Sequence, residues 1–228
     1  MTQPQRTALV TGANRGLGLA VAADLAARGH RVLLGTRDPK AAEEAAAQLP
    51  GETTAIELDV TDPGSVRAAA ASAGAVDILV NNAGVLLDWD AAPSRVDLEL
   101  VGRSLEVNLL GAWRTAQAFL PGMVARGWGR VVNISSGAAS FAYGPAPQCP
   151  GYTASKVALN ALTTMLAQET KGTGVLVNSI NPGLVRTRMQ PQAEQTPEEA
   201  ARHIADAATL PDDGPTGVFL RRDTVIDW

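Results

Sequence analysis

The chain has 228 residues, 46% of them hydrophobic and 18% charged, proportions that exclude a disordered or fibrous protein. A formal charge of −4 without a basic run leaves no footprint for nucleic acid or anionic lipid, both of which need clustered Lys and Arg. A single cysteine, Cys149, and two histidines, His30 and His203, exclude an internal disulfide and a His/Cys metal cluster, so no metal is expected.

At about 150 residues per domain, this length suits one α/β unit spanning residues 1–228. Ahead of the first glycine the only apolar run is Thr7 to Val10, too short for a secretory leader. No run approaches the roughly 18–20 apolar residues of a bilayer span, and a cytoplasmic protein without a membrane partner is expected.

Short apolar runs alternate with alanine-rich stretches of helical period, the rhythm of a doubly wound parallel sheet with helices on both faces. In chain order, strand Thr7–Val10 precedes helix Arg15–Arg28, which Gly29 ends in the left-handed position. Strand Arg31–Gly35 and helix Lys40–Leu49 follow, then strand Thr53–Leu58 and helix Pro63–Ala73. Strand Asp77–Asn81 leads to a long helix running towards Leu120, and strand Arg130–Ile134 to a Pro- and Gly-rich surface loop, Gly144 to Gly151. Helix Tyr152–Lys171, strand Gly174–Ile180, helix Thr196–Thr209 and strand Gly217–Leu220 complete about seven strands. Thr196, Pro197 and Glu199 have the spacing of a capping box.

Between the first strand and its helix runs Thr11-Gly12-Ala13-Asn14-Arg15-Gly16-Leu17-Gly18. Glycines at this point let the backbone and the free amides of a helix N-terminus approach a pyrophosphate, so a dinucleotide site is expected. The end of the second strand in such a site meets the adenosine ribose, where an acid selects a free 2′-hydroxyl and Arg accommodates a 2′-phosphate. Here it reads Thr36-Arg37-Asp38, with Arg15 inside the glycine turn. Two guanidiniums favour NADPH over NADH; Asp38 facing the ribose is the competing reading.

Tyr152 and Lys156 stand four residues apart on one helical face, in a chain with two Tyr and three Lys. A phenol can protonate the alkoxide left by hydride transfer to a carbonyl if a neighbouring cation lowers its pKa, which Lys156 is expected to do. The same ammonium can hold the nicotinamide ribose. Strand Arg130–Ile134 ends in Ser135-Ser136; Ser136 is expected to polarise the carbonyl, with Ser135 as the alternative.

These residues resemble the short-chain dehydrogenase/reductase family, a Rossmann-type fold, over nearly the whole chain. The matching pieces, in order, are Thr11 to Gly18, Asp59-Val60, Asn81-Asn82-Ala83-Gly84, Asn108, Ser136, Tyr152 with Lys156, and Asn181-Pro182-Gly183 with Thr187. The resemblance implies that Asp59 and Val60 meet the adenine, Asn81, Asn82, Ala83 and Gly84 the ribose side, and Pro182, Gly183, Val185 and Thr187 the carboxamide. It implies that Asn108 completes a catalytic tetrad by holding a water linked to Lys156. Arg15, Arg37 and the C-terminal stretch look most like the NADPH-dependent carbonyl reductases. Ser136 and Tyr152 lie a few residues further apart than in the commonest family pattern and far closer than in the carbonyl reductases with a large insertion. Only Arg188 to Gln195 separate Thr187 from the next helix, so a short lid and an open pocket are expected.

Trp89, Phe141, Tyr143 and Cys149 are candidates for the pocket wall, Trp113 for a core or subunit contact. The resulting expectation is an NADPH-dependent reductase of ketones or aldehydes, or an alcohol dehydrogenase when run in reverse, forming a homodimer or homotetramer. The rival is a catalytically silent NADP sensor on the same fold.

Overall fold

The structure, a computed structural model, describes residues 5–228; residues 1–4, the start of the segment expected to carry no leader, lie outside it. Eight strands form one sheet: β1 (Thr7–Thr11), β2 (Arg31–Thr36), β3 (Thr53–Glu57), β4 (Ile78–Asn81), β5 (Gly129–Ile134), β6 (Val175–Ile180), β7 (Phe219–Arg221) and β8 (Thr224–Ile226). Their order is β3-β2-β1-β4-β5-β6-β7-β8, parallel throughout except the β7–β8 pair. The eighth strand was not expected. It is three residues long, and its turn places Arg222 at φ +57 without a glycine to announce it.

The helices are α1 (Gly16–Ala27), α2 (Pro39–Ala46), α3 (Pro63–Ala73), α4 (Leu98–Leu105), α5 (Ala112–Arg126), α6 (Pro150–Glu169) and α7 (Pro197–Ala208). A π-helical turn, Glu106–Gly111, joins α4 to α5, so the expected long helix is three segments and continues past Leu120 to Arg126. Gly29 has φ +88, and the Thr196–Glu199 capping box forms in both directions. The Gly144–Gly151 loop is shorter than expected: Pro150 and Gly151 belong to the first turn of α6, and Cys149 is buried.

Alternating strand residues feed two apolar layers. Ala8 and Val10 of β1 pack with Val21 and Leu25 of α1 and Ile204 of α7 on one face. Leu9 joins Val66 of α3, Phe119 and Met123 of α5, and Leu159 and Leu162 of α6 on the other. Within the second layer a polar chain is fully paired. Thr115 donates to Asn81 (2.6 Å), Asn81 to Asn133 (2.8 Å), Asn133 to Thr163 (2.9 Å), and Thr163 shares a hydrogen with Ser179 (2.8 Å). It ties β4, β5 and β6 to the helices above them.

At the opposite end of the sheet Arg130 is 1% exposed. Its guanidinium donates to the carbonyls of Leu210, Gly129 and Gly174 and to Asp212, and stacks on Trp128, whose ring also meets Arg6 and whose Nε1 donates to Asp212. Burial lowers the Arg130 pKa against the pull of Asp212.

The feature that sets the chemistry is the start of α6. Cys149 caps it with no side-chain bond, and Pro150 has no N–H to offer. The acceptor comes from 63 residues away: the Asp88 carboxylate, 2% exposed, accepts from the amides of Gly151 and Tyr152. A side chain on Gly151 would begin 3.0 Å from this carboxylate, so glycine is what admits it. Asp88→Ala strands two buried amides and is expected to cost about 2 kcal/mol in urea unfolding, with Asp88→Asn, which keeps an acceptor oxygen, recovering most of the loss.

Candidate active site

The carboxyl ends of the strands open into a cavity of about 1280 Å³, larger than most single-ligand sites. It lies where the strand order reverses, between β1 and β4. Gly12, Asn14, Arg15, Gly16, Leu17 and Gly18 line it. Gly12 and Gly16 hold φ of +65 and +55, which L side chains resist, and a side chain on Gly18 would collide with Asn82 and the Gly12 carbonyl. Asn82 in turn donates to the carbonyls of Thr11 and Gly12, while Thr11 Oγ1 accepts from the amides of Asn82 and Ala83. The turn is thus held from β4. Arg15, the residue before α1, gives the helix no side-chain cap, so its first amides are available to an anion in the cavity.

Arg37, Asp38, Asp59 and Val60 line the β2–β3 end. Asp38 is committed to α2, accepting from Ala41 N at 3.1 Å. Asp59 accepts from the Thr61 amide (2.9 Å) and hydroxyl (2.7 Å). Its pKa is lowered: burial opposes the shift, and Thr61 and the nearby charge of Arg37 outweigh it. The two acids are therefore occupied, whereas among the described residues neither the Arg15 nor the Arg37 guanidinium makes a side-chain ion pair or hydrogen bond.

Ser135, Ser136, Tyr152 and Lys156 meet in the middle of the wall. Lys156 is 4% exposed; its Nζ donates to the Ile134 carbonyl at 2.7 Å and lies 5.7 Å from the Tyr152 ring centre. Burial pulls the ammonium down to about 8. The Tyr152 phenol goes the other way. Burial raises it, and the Ser136 hydroxyl hydrogen-bonded to it draws it back. The net direction is upward rather than the expected lowering, because loss of water around the phenolate outweighs the Ser136 hydrogen bond. Ser136 is the serine that meets the phenol. Ser135 Oγ is buried with no partner. The longer Ser136–Tyr152 excursion folds against the C-terminal tail, where the amides of Phe141 and Ala142 donate to Trp228 O, and leaves the two hydroxyls together.

Ala83, Gly84, Pro182, Gly183, Val185 and Thr187 complete the expected wall, with Trp89 and Cys149. Asn81 and Asn108 do not reach it. Asn81 is spent in the polar chain beneath the sheet's edge. Asn108, in the π-helical turn, accepts from Val85 N (2.8 Å) and donates to Val85 O and Ser155 Oγ (2.9 Å each). Phe141 and Tyr143 point to solvent, 67% and 66% exposed, and Trp113 is half-exposed rather than core. The segment after Thr187 is short and fastened: Val185 bridges Gln195, and Arg186 N donates to Gln195 O. Sequence reading missed Asp88, whose only signal was an acid inside the apolar run Val85 to Trp89, and missed Arg188 and Arg221 in the wall.

A dinucleotide suits this donor set: uncapped amides at α1, two unoccupied guanidiniums, a buried ammonium with one acceptor among the described residues, and an unpartnered buried hydroxyl. Among the described residues no helix is long and apolar enough to cross a membrane. A family model described as short chain dehydrogenase matches residues 6–198. The chain is 40% identical over 195 residues, 84% of its length and 76% of the relative's, to galactitol 2-dehydrogenase (L-tagatose-forming) of Cereibacter sphaeroides. It is 38% identical to carbonyl reductase family member 4 of Danio rerio, covering 81% of this chain and 77% of the relative. An NADPH-bound carbonyl reductase from chicken fatty liver superposes with a TM-score of 0.85 at 30% identity, covering 98% of this chain and 99% of the other. The chain belongs to the short-chain dehydrogenase family, oxidoreductases of alcohol and carbonyl groups that use a nicotinamide cofactor.

Proposed function

We propose that the chain is an NADPH-dependent reductase of ketones or aldehydes, with Tyr152 as the acid. The observation that carries the reading is the meeting of Tyr152, Ser136 and Lys156 in one cavity with the glycine turn. The bound nicotinamide supplies hydride. Arg15 and Arg37 would hold the 2′-phosphate, Asp59 and Val60 the adenine, and Lys156 the nicotinamide ribose. Pro182, Gly183, Val185 and Thr187 would hold the carboxamide. With Asp38 and Asp59 occupied, the β2–β3 end favours NADPH over NADH.

Burial keeps the Tyr152 phenol protonated at neutral pH, the form required to protonate a carbonyl oxygen as it gains charge. Ser136 donates a hydrogen bond to the same oxygen. Lys156, at about 8, is mostly cationic at neutral pH. A side chain on Gly84 would begin 3.3 Å from Asn108 Oδ1 and 3.6 Å from Lys156 Nζ. Its absence leaves a gap in which a water between those atoms can return the proton, the role proposed for Asn108. The same groups serve alcohol oxidation. Exposed Leu98, Trp113, Val124 and Met165 on α4, α5 and α6 support self-association as a dimer or tetramer.

Loss of NADPH absorbance across a panel of aldehydes and ketones tests the activity. Tyr152→Phe should lower kcat by about a hundredfold or more, and equal turnover removes the acid assignment. Arg37→Asp should weaken NADPH binding about 10–100-fold with little effect on NADH, read by fluorescence titration; an unchanged preference removes the 2′-phosphate assignment.

Lys156 also gives a pH signature. Between about 8 and its unfolded value of 10.5, the unfolded chain binds the proton and the folded one does not, so stability rises with pH across that window. From pH 8 to 9.5 the gain is on the order of 2 kcal/mol, and urea unfolding of Lys156→Met should lack it.

A further inference from the structure

The charges in the cavity wall are unevenly placed. Arg15, Arg37, Asp38 and Asp59 stand at the β2–β3 end, Lys156 in the middle, and Arg188 and Arg221 in the remaining wall. Both acids are at the first end and both are engaged, Asp38 with α2 and Asp59 with Thr61. Apart from these two acids the cavity wall holds no carboxylate, while Arg188 and Arg221 add two guanidiniums to it. Both are exposed, and among the described residues neither makes a side-chain ion pair or hydrogen bond.

The sheet places Arg221 near the reacting groups. Leu220 O accepts from Asn181 N at 2.7 Å, which sets the end of β7 beside the end of β6. Asn181 Nδ2 lies 2.9 Å from where a side chain on Gly137 would begin, one residue after Ser136. Arg188, also in the cavity wall, follows Thr187, whose Cγ2 lies 3.7 Å from where a side chain on Gly16 would begin. The surfaces between them are apolar or neutral: Trp89, Gln148, Leu184 and Met189. The chain carries −4 overall, so its mean field repels anions, and a local pair of unpaired cations over an apolar wall reverses that field at the mouth.

We infer that the substrate is a carbonyl compound bearing a carboxylate, received by Arg221 with Arg188 assisting. This rests on the reductase reading for the site. Because both guanidiniums are exposed, water and salt screen them, and their joint effect is set at about tenfold in affinity.

The test compares 4-carboxybenzaldehyde with its neutral methyl ester, methyl 4-formylbenzoate, in NADPH oxidation at low salt. The expected ratio of kcat/KM is about ten in favour of the acid, falling towards one at high salt. Arg221→Gln should bring the ratio close to one, and Arg221→Lys should keep most of it. In parallel, calorimetry measures benzoate and methyl benzoate binding to the NADPH-loaded protein, a readout without turnover. If neither aldehyde is reduced, the reductase reading fails and the benzoate measurement alone decides the charge preference. A ratio of one or less in the wild-type protein by either measurement, or a preference that survives Arg221→Gln, overturns the inference.

Discussion

The whole site depends on an ammonium almost wholly withdrawn from bulk solvent. Lys156 is 4% exposed and has one carbonyl, Ile134 O, to receive it, and a cation so placed costs several kcal/mol unless its surroundings are fixed. Helix α6 is accordingly fastened at successive turns: Gly151 and Tyr152 by Asp88, Ser155 by Asn108, Lys156 by β5, and Thr163 by Asn133 and Ser179. The apolar layer of Leu159 and Leu162 holds the helix to the sheet. The polar bonds determine its position along and around its own axis, which packing alone leaves loose.

The same burial acts on the two titrating groups in opposite senses. It drives the Tyr152 phenol up and the Lys156 ammonium down, because each is pushed towards its uncharged form. The lysine thus gives up its proton before the tyrosine does. The phenol is a proton donor by default, and the hydrogen bond to Ser136 moderates the rise.

Much of this was legible from residue order. Alternation of apolar runs marked seven of the eight strands, since a buried parallel strand needs a continuous apolar stretch. The glycine turn was legible because Gly12, Gly16 and Gly18 stand where side chains are strained or obstructed. Tyr152 and Lys156 were legible through helical spacing alone. Asn81 shows the limit. Residue type cannot tell a polar group facing a cavity from one paired beneath it, and Asn81 proved to be paired with Thr115 and Asn133. Asp88 was hidden for a related reason: its partners lie 63 and 64 residues away, and local pattern carries no information about such pairs. The π-helical turn and the β7–β8 return are likewise products of packing, with too few residues to leave a period.

The segment from Val185 to Gln195 is stitched at its base by the bridge and by the Arg186–Gln195 bond. A strap closed on itself in this way has little slack to fold across the mouth. Enzymes whose lids shut over the reactants often spend their turnover time waiting for the lid to reopen. A rim stitched in this way has no such closing movement to undo.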